Sequence, residues 1–100
     1  MQEYVLEVTN ARPVKFKGQS LAHDRTEIGT GRFTDLELYK TSGGNFVCQR
    51  VEITQWQGSH NEHFVKLVKS EQEVVEFFGL GDQAKIIYFR ANIDISEEIE

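Results

Sequence analysis

The sequence has a single cysteine and a single proline, and none of its apolar runs is long. Cys48 alone forms no intrachain disulfide, so the fold depends on its core, as is usual in a reducing compartment. A membrane span needs about 20 apolar residues in a row, which predicts that the chain does not cross a membrane. The N-terminal residues also lack the basic start and apolar stretch of a signal peptide. Together these features predict a cytoplasmic protein.

The charge is unevenly divided along the 100 residues, which carry a net charge of -5. Residues 12–50 contain seven basic and four acidic side chains, whereas residues 51–100 contain four basic and ten acidic ones. The length fits one folding unit. We therefore predict a single domain over residues 1–93, followed by an acidic C-terminal tail over residues 94–100.

Alternating apolar and polar residues predict strands over residues 4–9, 14–17, 35–39, 46–53 and 62–68. Turn residues 41–45 lie between the third and fourth strands and predict a β-hairpin, and residues 57–61 predict a second connection. Gly18 is expected to end or bend the second strand. Residues 19–32 give little signal, so a mobile contact loop and an additional strand both remain open.

The period then changes to that of helices. Ser70 and Glu73 match a capping box, and Gly79 is a suitable helix stop. Asp82 is expected to cap a second helix, although residues 83–92 also suit a strand. The predicted fold is α+β: an antiparallel meander of four or five strands with one or two C-terminal helices on one face. The predicted core consists of Leu6, Val8, Phe16, Leu36, Leu38, Val51, Ile53, Val65, Leu67, Val74, Phe77, Phe78 and Ile87.

The hairpin region, residues 33–58, carries the pattern L-x-L-Y-x-T-x-G-G-x-F-V from Leu36 to Val47. This region resembles a group of small uncharacterised bacterial proteins. The resemblance implies a bacterial or mobile-element origin and a sheet followed by a helix. It brings no assigned activity and no functional residues.

Few residue patterns suggest catalysis or metal binding. Cys48, His60 and His63 do not form a four-ligand zinc set with the usual spacing, so no metal and no cofactor is predicted. Cys48 needs a neighbouring base, such as His23, His60 or His63, to act as a nucleophile. A small enzyme that uses Cys48 or the histidines is one alternative function.

A basic N-terminal face suggests a second alternative, a nucleic-acid-associated module. Its candidate residues are Arg12, Lys15 and Lys17, which would bind phosphates, and Trp56, which would stack on a base. The acidic overall charge argues against this function.

The acidic C-terminal half and an exposed sheet edge favour a different function. We predict a small non-catalytic protein of bacterial or phage type that binds a protein partner, with a homodimer through the edge strand as a further option. Ile95 and Ile99, four residues apart, suggest that the tail is a short amphipathic segment that docks on its own domain or on another chain. The candidate partner-binding residues are Glu71, Glu73, Glu76, Asp94, Glu97, Glu98 and Glu100.

Overall fold

The computed structural model describes residues 1–56, 58, 60–97 and 99. It has five strands followed by two helices. Their bounds are β1 Gln2–Leu6, β2 Val14–Gly29, β3 Arg32–Thr41, β4 Phe46–Thr54, β5 Glu62–Val68, α1 Glu71–Phe78 and α2 Asp82–Ala91. The strands form one antiparallel sheet in the order β1-β2-β3-β4-β5, which confirms the α+β meander. Among the described residues, no helix is both long and apolar enough to cross a membrane.

The β3–β4 hairpin follows its predicted turn. The amide of Thr41 donates to the carbonyl of Asn45 at 2.8 Å, and the amide of Gly44 donates back to Thr41 at 3.0 Å. Gly44 has a φ of 87°, which glycine adopts without the steric cost that a Cβ would bring. The β4–β5 connection includes Gln57 and Ser59, which lie outside the described residues.

Residues 19–32 are not a mobile loop, because β2 continues through Gly18 to Gly29. Its first part pairs with β1 and the rest pairs with β3, and Gly18 is aligned with both neighbours. A Cβ on Gly18 would overlap the carbonyl oxygen of Lys40, so the close approach of β3 requires glycine here. A register shift between Ser20 and Ala22 interrupts the alternation, which explains why the sequence signal is weak.

Both helices are present, and the open choice at residues 83–92 is resolved as α2. In α1 the Ser70 hydroxyl accepts from the Glu73 amide at 3.2 Å, which confirms the capping box. The prediction that Asp82 caps α2 is wrong. The capping position is Gly81, which has no side chain, and Asp82 lies inside the first turn, where its negative charge interacts favourably with the positive end of the helix dipole.

The two helices cover one face of the sheet. The buried residues of this helix-covered core are Ala22, Leu36, Leu38, Phe46, Cys48, Val68, Val74, Ala84, Ile87, Tyr88 and Ile93. Val74 and Ile87 were predicted to be buried, and Phe77 and Phe78 are only half-buried against this core. Ile95 also packs on it, so the acidic segment contacts the domain near its start.

The opposite face of the sheet holds a second core without a helix. Its buried residues are Leu6, Tyr39 and Val47, with Tyr4, Phe16 and Val65 packed around them. The sheet curls over this face, and the segment after β1 reaches β5. There the Thr9 amide donates to the His63 carbonyl at 3.0 Å, and the His63 amide donates to the Thr9 hydroxyl at 2.7 Å. The prediction that Leu67 is buried is wrong, because it lies on edge strand β5 and remains 57% exposed.

Candidate functional site

A groove lies between α1 and the segment that follows α2. Its volume is about 400 Å³, and its apolar walls include Val75, Leu80, Ile93 and Ile95. Asn92 ends α2 in the left-handed conformation, with a φ of 59°, and turns the chain back toward α1. Ile93 is then held by its amide, which donates to the Tyr88 carbonyl at 2.9 Å. The groove thus forms where the chain leaves α2.

The charged side chains that line this groove among the described residues, Glu71 and Asp94, are both acidic. Gln72 and Ser96 supply uncharged polar groups. The Ser96 amide donates to a carboxylate oxygen of Asp94 at 2.9 Å, and this hydrogen bond lowers the pKa of Asp94. Asp94 therefore presents negative charge beside the apolar walls at neutral pH.

The other predicted acidic residues are dispersed. The Glu73 carboxylate accepts from the Lys69 amide at 3.4 Å, so this side chain helps to hold the start of α1. Glu76 and Glu97 are exposed. Glu98 and Glu100 lie outside the described residues. Of the predicted set, the structure brings Glu71 and Asp94 together at the groove.

The outer face of α2 carries an exposed apolar patch that sequence reasoning missed. Phe89 is 87% exposed, and Ile86, one turn before it, is 38% exposed. Lys85 lies on the same face, four residues before Phe89. The sequence signal for this patch is the spacing of Ile86 and Phe89, which fall outside the buried face formed by Ala84, Ile87 and Tyr88.

The sheet edge at β5 is partly covered. Thr9 bonds to both the amide and the carbonyl of His63, and the Glu7 carboxylate lies 3.5 Å from the His63 ring. Leu67, farther along the same strand, is exposed. The free part of this edge is therefore short, which limits its use for pairing with another strand.

Trp56 lies apart from the candidate basic residues, of which Lys15 and Lys17 are exposed on the same face of β2. Ser42, in the β3–β4 turn, donates to the Lys17 carbonyl at 2.9 Å, which places Lys17 at that end of the sheet. The Trp56 indole lies against Gly31 in the β2–β3 turn, at the other end of β3. Ten extended residues separate these ends by about 30 Å. Lys15 pairs with Glu3 at 3.8 Å, and Arg12 lies in the segment between β1 and β2.

Trp56 instead lines a cleft of about 330 Å³ near the β2–β3 turn. Phe33 and Ile53 also line it, together with charged residues of both signs, among them Arg32 and Glu62. Trp56 remains 57% exposed. The mixture of charges favours no single class of ligand.

The residues considered for catalysis occupy unsuitable positions. Cys48 is fully buried in the helix-covered core, and burial raises the pKa of its thiol to about 12. The thiol therefore stays protonated at neutral pH, whereas a nucleophile must be an accessible thiolate. His60 is exposed in the β4–β5 connection, and His63 lies at the β5 edge. Within the described part of the chain, no group of three or more His, Cys, Asp or Glu side chains is arranged to hold a metal ion.

A cross-strand polar cluster lies on the sheet face opposite the helices. One Asp35 oxygen lies 2.6 Å from the His23 ring, and the other lies 3.2 Å from the Arg25 guanidinium. Beside them, the Ser20 hydroxyl donates to Glu37 at 2.7 Å. These contacts join β2 to β3 on the partly solvated side of the sheet, as cross-strand pairs commonly do.

Comparison of the chain with protein-family models, curated proteins and solved structures found no match. The groove and the surfaces around it are therefore the features that bear on function.

Proposed function

We propose that the chain is a small non-catalytic protein that binds a protein segment in the groove between α1 and residues 93–96. The observation that carries this proposal is the composition of the groove. Its apolar walls are accompanied by the carboxylates of Glu71 and Asp94. A fitting segment carries an apolar side chain for the walls and a basic side chain for the carboxylates.

The groove supports this proposal better than the sheet edge does. Leu80, at the groove, and Leu67, at the β5 edge, are exposed to nearly the same degree, 60% and 57%. The edge near Leu67 is shortened by the contact between Thr9 and His63. The groove also offers a recess, into which a side chain can be desolvated on several sides.

A titration of the isotope-labelled full chain with synthetic peptides tests this function. The probe has one phenylalanine between lysines. One matched peptide replaces the lysines by glutamates, and another replaces the phenylalanine by glycine. We expect saturable amide shifts at Val75, Ile93 and Ser96 with the first peptide, weakened by added salt. The other two peptides should shift these amides at least roughly tenfold more weakly.

Two variants with matched exposure locate the binding. Leu80→Asp should abolish the shifts, whereas Leu67→Asp should leave them unchanged. Both sites are exposed, so both variants are expected to fold. Equal binding of the basic and acidic peptides, or loss of binding in Leu67→Asp alone, would contradict the groove as the binding site.

A further inference from the structure

The exposed patch on α2 combines apolar side chains with a lysine, which makes it complementary to an apolar groove with carboxylates. Phe89 and Ile86 project from the outer face of the helix, and Lys85 lies beside them. Arg90, the other cation near this patch, is 3.5 Å from Asp24 and donates to the carbonyl of His23. Within the described part of the chain, Lys85 is therefore the cation available next to Phe89.

The groove matches this patch in both respects. Its walls are apolar, and its charged residues, Glu71 and Asp94, are acidic. Phe89 does not fill the groove of its own chain, because it is 87% exposed. An apolar side chain with a nearby lysine on one molecule thus fits an apolar groove with carboxylates on another.

The position of the groove allows this contact to be reciprocal. Ile93, which forms part of the groove wall, follows Phe89 by four residues, so the patch and the groove are neighbours on the helical layer. A two-fold axis between them lets each molecule give its Phe89 and receive that of the other. Such an arrangement closes on itself as a dimer, the commonest symmetric assembly.

We propose that a second copy of the chain occupies the groove, with its Phe89 between the apolar walls and its Lys85 facing Glu71. This inference rests on the proposed function, because it names the occupant of the same groove. It differs from a dimer through the β5 edge, since it uses the helical layer and leaves the sheet edge open.

Sedimentation equilibrium of the purified full chain, over micromolar to millimolar concentrations, tests the proposal. We expect a monomer–dimer equilibrium in which Phe89→Asp weakens association at least roughly tenfold. Leu67→Asp, at the sheet edge, is the matched control and should associate like the unmodified chain. Thermal unfolding of each variant checks that it is folded.

Charge reversal gives a second, more specific measurement. Lys85→Glu alone and Glu71→Lys alone should each weaken the dimer, whereas the double variant should regain association because the pair is restored with opposite polarity. Dimerisation that survives Phe89→Asp, or that is lost in Leu67→Asp, would overturn the proposal.

The peptide titration separates this inference from the proposed function. A chain that remains monomeric at millimolar concentration but binds the basic peptide in the groove overturns the dimer and leaves the proposed function standing. A chain that neither dimerises nor binds the peptide overturns both.

Discussion

The two faces of the sheet bury side chains in different ways. Among the residues that the structure describes, the helix-covered core contains eleven buried residues, and the second core contains three. The first is closed by α1 and α2, the two helices that follow β5 in the chain. The second is closed by the curl of the sheet and by the contact of Thr9 with His63, 54 residues away. The comparison indicates that most of the hydrophobic stabilisation comes from the helical side.

The second core has fewer buried residues, and aromatic contacts add to its stability. The rings of Tyr4, Phe16 and Tyr39 form a triangle whose centroid distances are 5.3, 4.7 and 5.2 Å. Such pairs contribute about 0.5–1.5 kcal/mol beyond the area they bury. A small core can therefore remain specific where few aliphatic side chains are available.

One of the largest expected effects concerns Gly18, where the pairing of β2 passes from β1 to β3. Gly18 is where β2 pairs with both β1 and β3, and a Cβ there would overlap the Lys40 carbonyl. We expect Gly18→Ala to lower the free energy of unfolding by roughly 3 kcal/mol, measured by urea denaturation. Gly43→Ala is the control, because its Cβ would meet Thr41 at an ordinary 3.8 Å. Equal stabilities of the two variants would disprove the close approach.

Truncation of one buried side chain in each core compares how much the two cores contribute to the free energy of unfolding. Leu38 is fully buried under the helices, and Val47 is 1% exposed in the second core. Leu38→Ala should cost about 2–5 kcal/mol in the free energy of unfolding. Val47→Ala removes fewer atoms and should cost about 2 kcal/mol. Hydrogen exchange distinguishes the two further, since Val47→Ala should expose the amides of β1 before those of α2. Simultaneous loss of protection in both regions would indicate one cooperative unit.

Alkaline titration probes one buried tyrosine in each core. Burial raises the pKa of Tyr88 to about 12, and burial also raises the pKa of Tyr39 in the second core. An unfolded tyrosine ionises near pH 10, so above that pH the unfolded state loses its proton first. The contribution of each tyrosine to the free energy of unfolding is therefore fully present below about pH 10. Above that pH it falls by about 1.4 kcal/mol per pH unit for each such group.

The variants Tyr88→Phe and Tyr39→Phe separate the two contributions. Each should reduce the pH dependence of the unfolding free energy between pH 10 and 12. Tyr88→Phe also removes the hydrogen bond to the Gly79 carbonyl, 2.6 Å long, so it should cost about 1 kcal/mol at neutral pH as well. An unchanged slope in both variants would show that other groups govern alkaline unfolding.

The sequence predicts the elements whose signals are local. The turn around Gly44, the capping box of Ser70 and Glu73, and the order of strands and helices all follow from nearby residues. The continuation of β2 beyond Gly18 could not be predicted from the sequence, because the bulge near Ala22 interrupts the alternation of apolar and polar residues. Leu67 alternates like a core residue, yet its strand lies at an edge.

The candidate site was only partly predictable for a related reason. Glu71 and Asp94 were identified from charge alone, but their meeting depends on the turn at Asn92 and on the packing of Ile93 and Ile95. The exposed position of Phe89 depends on which face of α2 meets the sheet. Contacts between distant segments determine these features, and periodicity does not report them.

The smallest expected effects concern the two hydrogen-bonded contacts that close the cores. Ser70→Ala removes the cap of α1, and Thr9→Val removes the hydroxyl that accepts from His63. Each should cost about 1 kcal/mol, because each leaves a backbone amide without its partner. The location of the loss distinguishes them. Ser70→Ala should speed hydrogen exchange in α1, and Thr9→Val should speed it in β5 near His63. If Thr9→Val instead leaves exchange at β5 unchanged, the curl of the sheet, and not this contact, holds the second core closed.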